Sequence, residues 1–171
     1  MDRHAGSESR AAILAALGAT LSAPEPIAAY AGATVSFADP VAAFRAALEA
    51  AGGRLETFPD RASLERALAA APPDAVVLRG GPAVAESGAV WWVPRDEAER
   101  RAAFLAERVI LVVARADLVD ELHAAYRRID SAAPHFACFV AGPSKTADIE
   151  QALVIGAHGP RELDVYLWGP V

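Results

Sequence analysis

From Ala75 to the end of the chain one pattern recurs: a short apolar run, a capped stretch with helical spacing, then another apolar run. Ala75-Val76-Val77-Leu78, Val109 to Val113 and Phe136 to Val140 are such runs, and Val109 to Val113 is an unbroken series of β-branched residues and leucine. A strand that is apolar on both sides must be covered on both faces. A connection long enough to hold a helix also lets neighbouring strands run parallel. The pattern therefore predicts an α/β fold of three layers, a mostly parallel sheet with helices on both faces. In such sheets ligands bind beyond the carboxyl ends of the strands.

The helices are marked by their starts. Asp39-Pro40 combines a capping acid with proline at the first helical position. Val41, Phe44 and Leu48 then share a face until Gly52-Gly53. Asp60 opens a second helix with Leu64 and Leu68 inward, and Asp96 to Arg108 is charged and helix-prone. Asp117 is the expected cap of a helix carrying Leu118, Leu122, Ala125 and Ile129. Ser9 to Gly18 brackets a short N-terminal helix from Arg10 to Leu17, and Ser22 to Gly32 reads as a loop because Pro24 and Pro26 oppose helix. Arg54 to Phe58, Val90 to Val93 and Leu163 to Trp168 complete the strands, and Arg79 to Gly88 reads as loop. With no repeat or low-complexity linker, one domain over 1–171 is expected.

A net charge of −6 with scattered basic residues disfavours a nucleic-acid surface, which needs clustered Lys and Arg. One cysteine, Cys138, is too few for a disulfide framework, a zinc ribbon or a self-sufficient iron–sulfur site. In the run Phe136 to Val140 it reads as an inert core thiol. Residues 1–10 are polar, no window approaches the ~20 apolar residues of a membrane span, and the cytoplasm is the expected compartment. No cofactor and no metal are expected.

Two small-residue segments carry the candidate chemistry. Ala141-Gly142-Pro143-Ser144-Lys145-Thr146 fails as a P-loop, because Ser144 and Phe139 stand where glycines are required. Gly142, Ser144 and Thr146 can still offer backbone N–H and hydroxyl donors to an anion; a tight turn that merely ends a strand is the commoner meaning of such a loop. Asp148 and Glu150 lie on one side of an extended segment and suit acid–base or hard-metal chemistry, or simple surface capping. Glu86, in Ala85-Glu86-Ser87-Gly88, is the candidate catalytic residue. Partial burial among its small apolar neighbours would suit it to proton transfer or to attack on an acyl group, whereas a solvated turn would leave it inert. His158, in Gly156-Ala157-His158-Gly159-Pro160, is a ligand or base candidate, or a hydrogen-bonded structural residue. Trp91 and Trp92 face opposite sides of their strand, which predicts one in the core.

Taken together, Ala141 to Glu150 followed by Val154 to Pro160 resembles the C-terminal signature of the lactate utilisation protein C family, whose domain is the LUD domain (DUF162). That signature reads G-P-S-x-S/T-A-D-I-E, then V-x-G-x-H-G-P. Ala85-Glu86-Ser87-Gly88 resembles the family's A-E-S/T-G element, and Ala103 to Val113 resembles more weakly its strand motif. The resemblance is strongest over 83–168. The chain departs from the family at Ala106 and Glu107, where prolines stand, at Val109, where a histidine stands, and in a shorter stretch between Ala70 and Asp74.

The resemblance implies a fold similar to sugar-phosphate isomerases, CoA transferases and formyltetrahydrofolate cyclo-ligase. It also implies a place in a multi-protein system oxidising L-lactate to pyruvate, whose iron–sulfur and cysteine-rich subunits would be the partners. A homodimer stays open. The expected role is an accessory subunit that binds a small anionic ligand or a partner through Glu86, Ser87, Gly88, Gly142, Pro143, Ser144, Thr146, Asp148, Glu150 and His158. The alternatives are an acyl- or CoA-transferring enzyme with Glu86 as nucleophile, and a structural domain whose glycine loops only close the fold.

Overall fold

The computed structural model describes residues 4–20, 34–129, 136–147 and 153–170. Their contacts form two compact units, Met1–Ala33 and Thr34–Val171. The first holds helix α1 (His4–Thr20), which runs through both Ser9 and Gly18 where a shorter helix was expected. One glycine costs about 1 kcal/mol in a helix, too little to stop a segment otherwise rich in alanine and leucine. The proline-rich stretch 22–32 lies outside the described residues.

The second unit begins with α2 (Pro40–Ala50), where the Asp39 carboxylate accepts from the N–H groups of Val41 and Ala42. Phe44 and Leu48 of α2 are fully buried. Then follow β1 (Arg54–Phe58), α3 (Arg61–Ala69, capped by Asp60), β2 (Val76–Val84), β3 (Ala89–Trp92) and α4 (Glu97–Leu105, capped by Asp96). The chain continues through β4 (Arg108–Ala114), β5 (Leu118–Val119), α5 (Leu122–Tyr126) and β6 (Cys138–Val140). It closes with the hairpin β7 (Lys145–Ala147) and β8 (Leu153–Ile155), then β9 (Glu162–Trp168).

Seven strands form one mixed sheet in the order β1-β9-β4-β2-β3-β6, with β5 also paired to β2. The β1–β9–β4–β2 part is parallel, and β3 and β6 pair antiparallel. Helices lie on both sides. Leu78, Val109, Leu111, Leu163 and Val165 join Phe44 and Leu48 of α2 and Ala103 of α4 in one core. Ile110 and Tyr166 face the other way, onto Leu64 of α3. Strands buried on both sides explain the unbroken apolar run of β4.

Two local expectations fail. Arg79 to Val84 is strand, because β2 continues past β4 and pairs with β3 and β5 across a register shift between Gly80 and Ala83. A Cβ on Gly80 would press on Val90 and Val113, so this glycine serves close packing within a strand. Asp117 does not cap a long helix. It ends a single 3₁₀ turn, Leu118-Val119 pairs with the end of β2, and α5 starts only at Leu122, leaving Ile129 beyond it.

Candidate functional site

The turn between β2 and β3 positions Glu86. Ala85 N–H donates to the Val119 carbonyl at 2.8 Å, Glu86 N–H to that of Asp120 at 3.0 Å, and Gly88 N–H to that of Val84 at 2.9 Å. One Glu86 carboxylate oxygen accepts the Leu122 N–H at 2.6 Å. Leu122 opens α5, so Glu86 caps a helix start with a charge of the favoured sign. Glu86 and Ser87 are exposed and Gly88 is buried. The expected desolvation of Glu86 is absent, because its small apolar neighbours turn inward while its side chain turns out to α5.

Beside it, Glu121 is a buried acid that accepts from Val35 N–H and from Arg127, each at 3.3 Å. One carboxylate oxygen of the adjacent Asp120 is buried without a partner among the described residues. Sequence reading missed this acidic pair, since it is brought to the site by contacts between distant positions, Glu86 N–H to the Asp120 carbonyl and Leu122 N–H to the Glu86 carboxylate.

The C-terminal motif forms a clasp. Ser144 N–H donates to the Pro160 carbonyl at 2.8 Å, and Gly156 N–H donates to the Ser144 carbonyl at 2.9 Å. The G-P-S turn and the G-x-H-G-P turn are thereby tied together at the base of the β7–β8 hairpin. Gly142 and Pro143 are buried, Ser144 is half-buried and His158 is exposed. Thr146 is placed in β7 by its backbone, opposite Val154. Asp148 and Glu150 lie outside the described residues.

The two motifs meet on one helix end. A Cβ on Gly88 would collide with the main chain of Leu48 in α2, and one on Gly142 with the carbonyl of Ala51 just beyond it. Both glycines have positive φ, +65° and +74°, which side chains rarely adopt. Strand pairing agrees, because β3 leaves the Glu86 turn and pairs with β6, which leads into Gly142. Gly88 and Gly142 therefore seat α2 against the sheet.

A cleft of about 280 Å³ opens beside the clasp. Gly142, Ser144, His158, Gly159 and Pro160 of the clasp form its rim together with the exposed Phe104, while the buried Leu78, Trp92, Leu111 and Leu163 line its interior. Among its described lining residues there is no arginine or lysine, and the one basic side chain is the exposed His158 at the rim, so an anion inside the cleft would be poorly compensated. Glu86 is not part of its lining. Trp92 is the inward tryptophan, 2% exposed, and its indole N–H has no partner among the described residues, while Trp91 packs against Phe139 with the rings tilted at 56°. Cys138 also lines the cleft, half-buried, and burial pushes its thiol above the usual range. Among the described residues no group of three or more His, Cys, Asp and Glu could hold a metal ion. No helix there is long and apolar enough to cross a membrane.

On the α3 side, four charges link β1, β4 and β9. Asp164, 3% exposed, accepts from Arg54 at 2.7 Å and Arg108 at 3.0 Å, and both arginines also contact Glu162. The hydrogen bond from Arg54, joined by the charge of Arg108, holds the Glu162 carboxyl below the usual carboxylate range. Hydrogen bonds to Asp164 and Glu162 hold the Arg54 guanidinium above its usual value. The group cross-links strands and leaves no charge unpaired, which marks it as structural.

The LUD domain family model matches residues 43–168, and the chain belongs to that family. Relatives named Lactate utilization protein C include one from Geobacillus thermodenitrificans, 37% identical over 83 residues, which are 45% of this chain and 35% of that protein. Another, from Shouchella clausii, is 34% identical over 82 residues, 45% of this chain and 36% of that one. The chain thus spans about a third of the length of the curated relatives it matches. A crystal structure of a DUF162 family protein from Deinococcus radiodurans superposes with a TM-score of 0.56 at 17% identity, covering 80% of this chain and all of that one. At that identity the likeness speaks for the fold alone.

Proposed function

We propose that this LUD domain protein serves L-lactate utilisation as an accessory subunit, docking a partner protein at the cleft beside the glycine clasp. The observation that carries the reading is the make-up of that cleft. Its rim is the family's own C-terminal signature, yet its interior is aliphatic and aromatic with no cation. Of the two occupants considered from the sequence, a small anion and a partner, this chemistry favours the partner. A space of about 280 Å³ suits one or two anchoring side chains, the usual core of an interface hot spot. The clasp hydrogen bonds pre-organise the rim, which lowers the cost of binding.

The partners of this reading are the iron–sulfur and cysteine-rich subunits of a lactate-oxidising system, which would carry the electrons that a chain with one cysteine cannot. Glu86 orders the neighbouring turn and α5 through its bond to Leu122. A nucleophile needs a free oxygen facing a ligand groove, so its position outside the cleft supports this role over acyl transfer. Deleting the gene in its source organism tests the proposal: growth on L-lactate as sole carbon source should fail, and return with the wild-type gene. Unimpaired growth of the deletion strain would reject it.

A further inference from the structure

A second cleft, of about 590 Å³, lies on the α3 side of the sheet, apart from the glycine clasp. Its place is set by β2. Up to Arg79 this strand pairs with β4, and from Gly80 on it pairs with β3 and β5 instead. The strands separate there, near the carboxyl end of the parallel part, where open α/β sheets hold ligands. Val77, Val112 and Trp168 give the floor an apolar surface, and Val77 is 44% exposed.

Three arginines and three acids line this cleft. Four of the six are paired: Arg61 with Glu65 at 2.7 Å and Arg95 with Glu99 at 2.8 Å. The side chains of Arg79 and Asp117 make no hydrogen bond or ion pair among the described residues. One guanidinium and one carboxylate with no protein partner among the described residues thus face one space with an apolar floor.

We propose that this cleft binds a small carboxylic acid that also carries a hydrogen-bond donor, its carboxylate held by Arg79 and its donor by Asp117. A guanidinium offers paired N–H donors that match a carboxylate in two-point geometry. Asp117, when ionised, accepts only, so it selects a hydroxyl or ammonium group and repels a second negative charge. A phosphate, with a charge near −2, would meet one guanidinium and one carboxylate outside the two ion pairs, and the Asp117 carboxylate repels its second charge, so it is disfavoured. The short hydrocarbon part rests on Val77 and Trp168. Hydroxy acids and amino acids share this chemistry.

Isothermal titration of the full chain with L-lactate, L-alanine, pyruvate and inorganic phosphate tests the assignment. L-lactate or L-alanine should bind, whichever is tighter naming the donor as hydroxyl or ammonium, and pyruvate and phosphate should bind at least tenfold more weakly. Arg79→Gln should weaken the better ligand at least tenfold. Asp117→Asn should weaken it too but leave pyruvate unchanged. Arg79 is exposed and Asp117 partly so, and neither side chain has a protein partner among the described residues, so both variants should melt with the wild type, and a variant that does not is replaced by the other. Failure of L-lactate and L-alanine to bind at millimolar concentration would overturn the proposal. Equal binding of phosphate, or full affinity in Arg79→Gln, would overturn it as well. The readout needs no partner subunit, so it stands or falls separately from the accessory role.

Discussion

Replacing Gly88 by alanine separates backbone strain from packing, because the chain supplies its own control. Gly52 has φ +88°, and an added Cβ there meets mainly the end of the flexible Lys145 side chain, at 3.3 Å. Gly52→Ala should therefore cost only the left-handed penalty, about 1–2 kcal/mol. Gly88 has φ +65° and carries the same penalty, but its Cβ also collides with the main chain of Leu48. That clash can be relieved only by moving α2, whose Phe44 and Leu48 are fully buried. Overpacking of this kind costs a further ~1–3 kcal/mol. The total for Gly88→Ala is then about 2–5 kcal/mol, a large part of the ~5–15 kcal/mol that holds a domain together. Urea unfolding followed by tryptophan fluorescence measures both variants. Equal losses in the two, within about 0.5 kcal/mol, would refute the claim that Gly88 is the seat of α2.

Glu86→Gln keeps an oxygen for Leu122 N–H and loses only the charge at α5, so unfolding should shift by about 0.3–1 kcal/mol. Wild-type protein incubated with acyl-CoA should show no added mass on Glu86, and a covalent adduct there would put the transferase reading first. Glu162, held below the ordinary carboxylate range by Arg54, stabilises the fold above its unfolded value of about 4.3 and loses that contribution as pH falls through its lower folded value. Denaturant titrations across the acidic range should show a shallower loss in Glu162→Gln than in wild type, and identical slopes would contradict the Arg54 contact. Cys138, its thiol raised by burial, should react with iodoacetamide more slowly than a free cysteine at about pH 8, and equal rates would contradict its burial.

Local signals in the sequence were sufficient where the cause was local. Asp39-Pro40 starts α2, Asp60 and Asp96 cap their helices, and the run at Val109 gives β4. The motif resemblance located the turns that meet on α2. What it could not give were contacts between distant positions. Glu86 was expected among apolar neighbours, yet its setting is decided by Leu122, 36 residues on. Arg79 to Gly88 reads as loop, while β2 in fact runs through Gly80 and Gly81 to Val84, held by pairing with β3 and β5. Arg54 and Asp164, 110 positions apart, carry no sequence mark of their pairing. The anion expected at Gly142 and Ser144 followed from donor types alone, and the apolar interior behind them comes from β2, α4, β4 and β9.

The accessory role is tested most directly by reconstitution. Purified iron–sulfur and cysteine-rich companion subunits from the same organism would be assayed for L-lactate-dependent reduction of an artificial electron acceptor, with and without this chain. Ala141→Trp serves as the comparison, since Ala141 is exposed and lines the cleft, so the indole fills the docking space without entering the core. Wild-type chain should raise the rate and co-elute with the companions, and Ala141→Trp, melting as wild type does, should do neither. A rate that does not depend on the chain, or an Ala141→Trp protein as effective as wild type, would contradict docking at the glycine clasp.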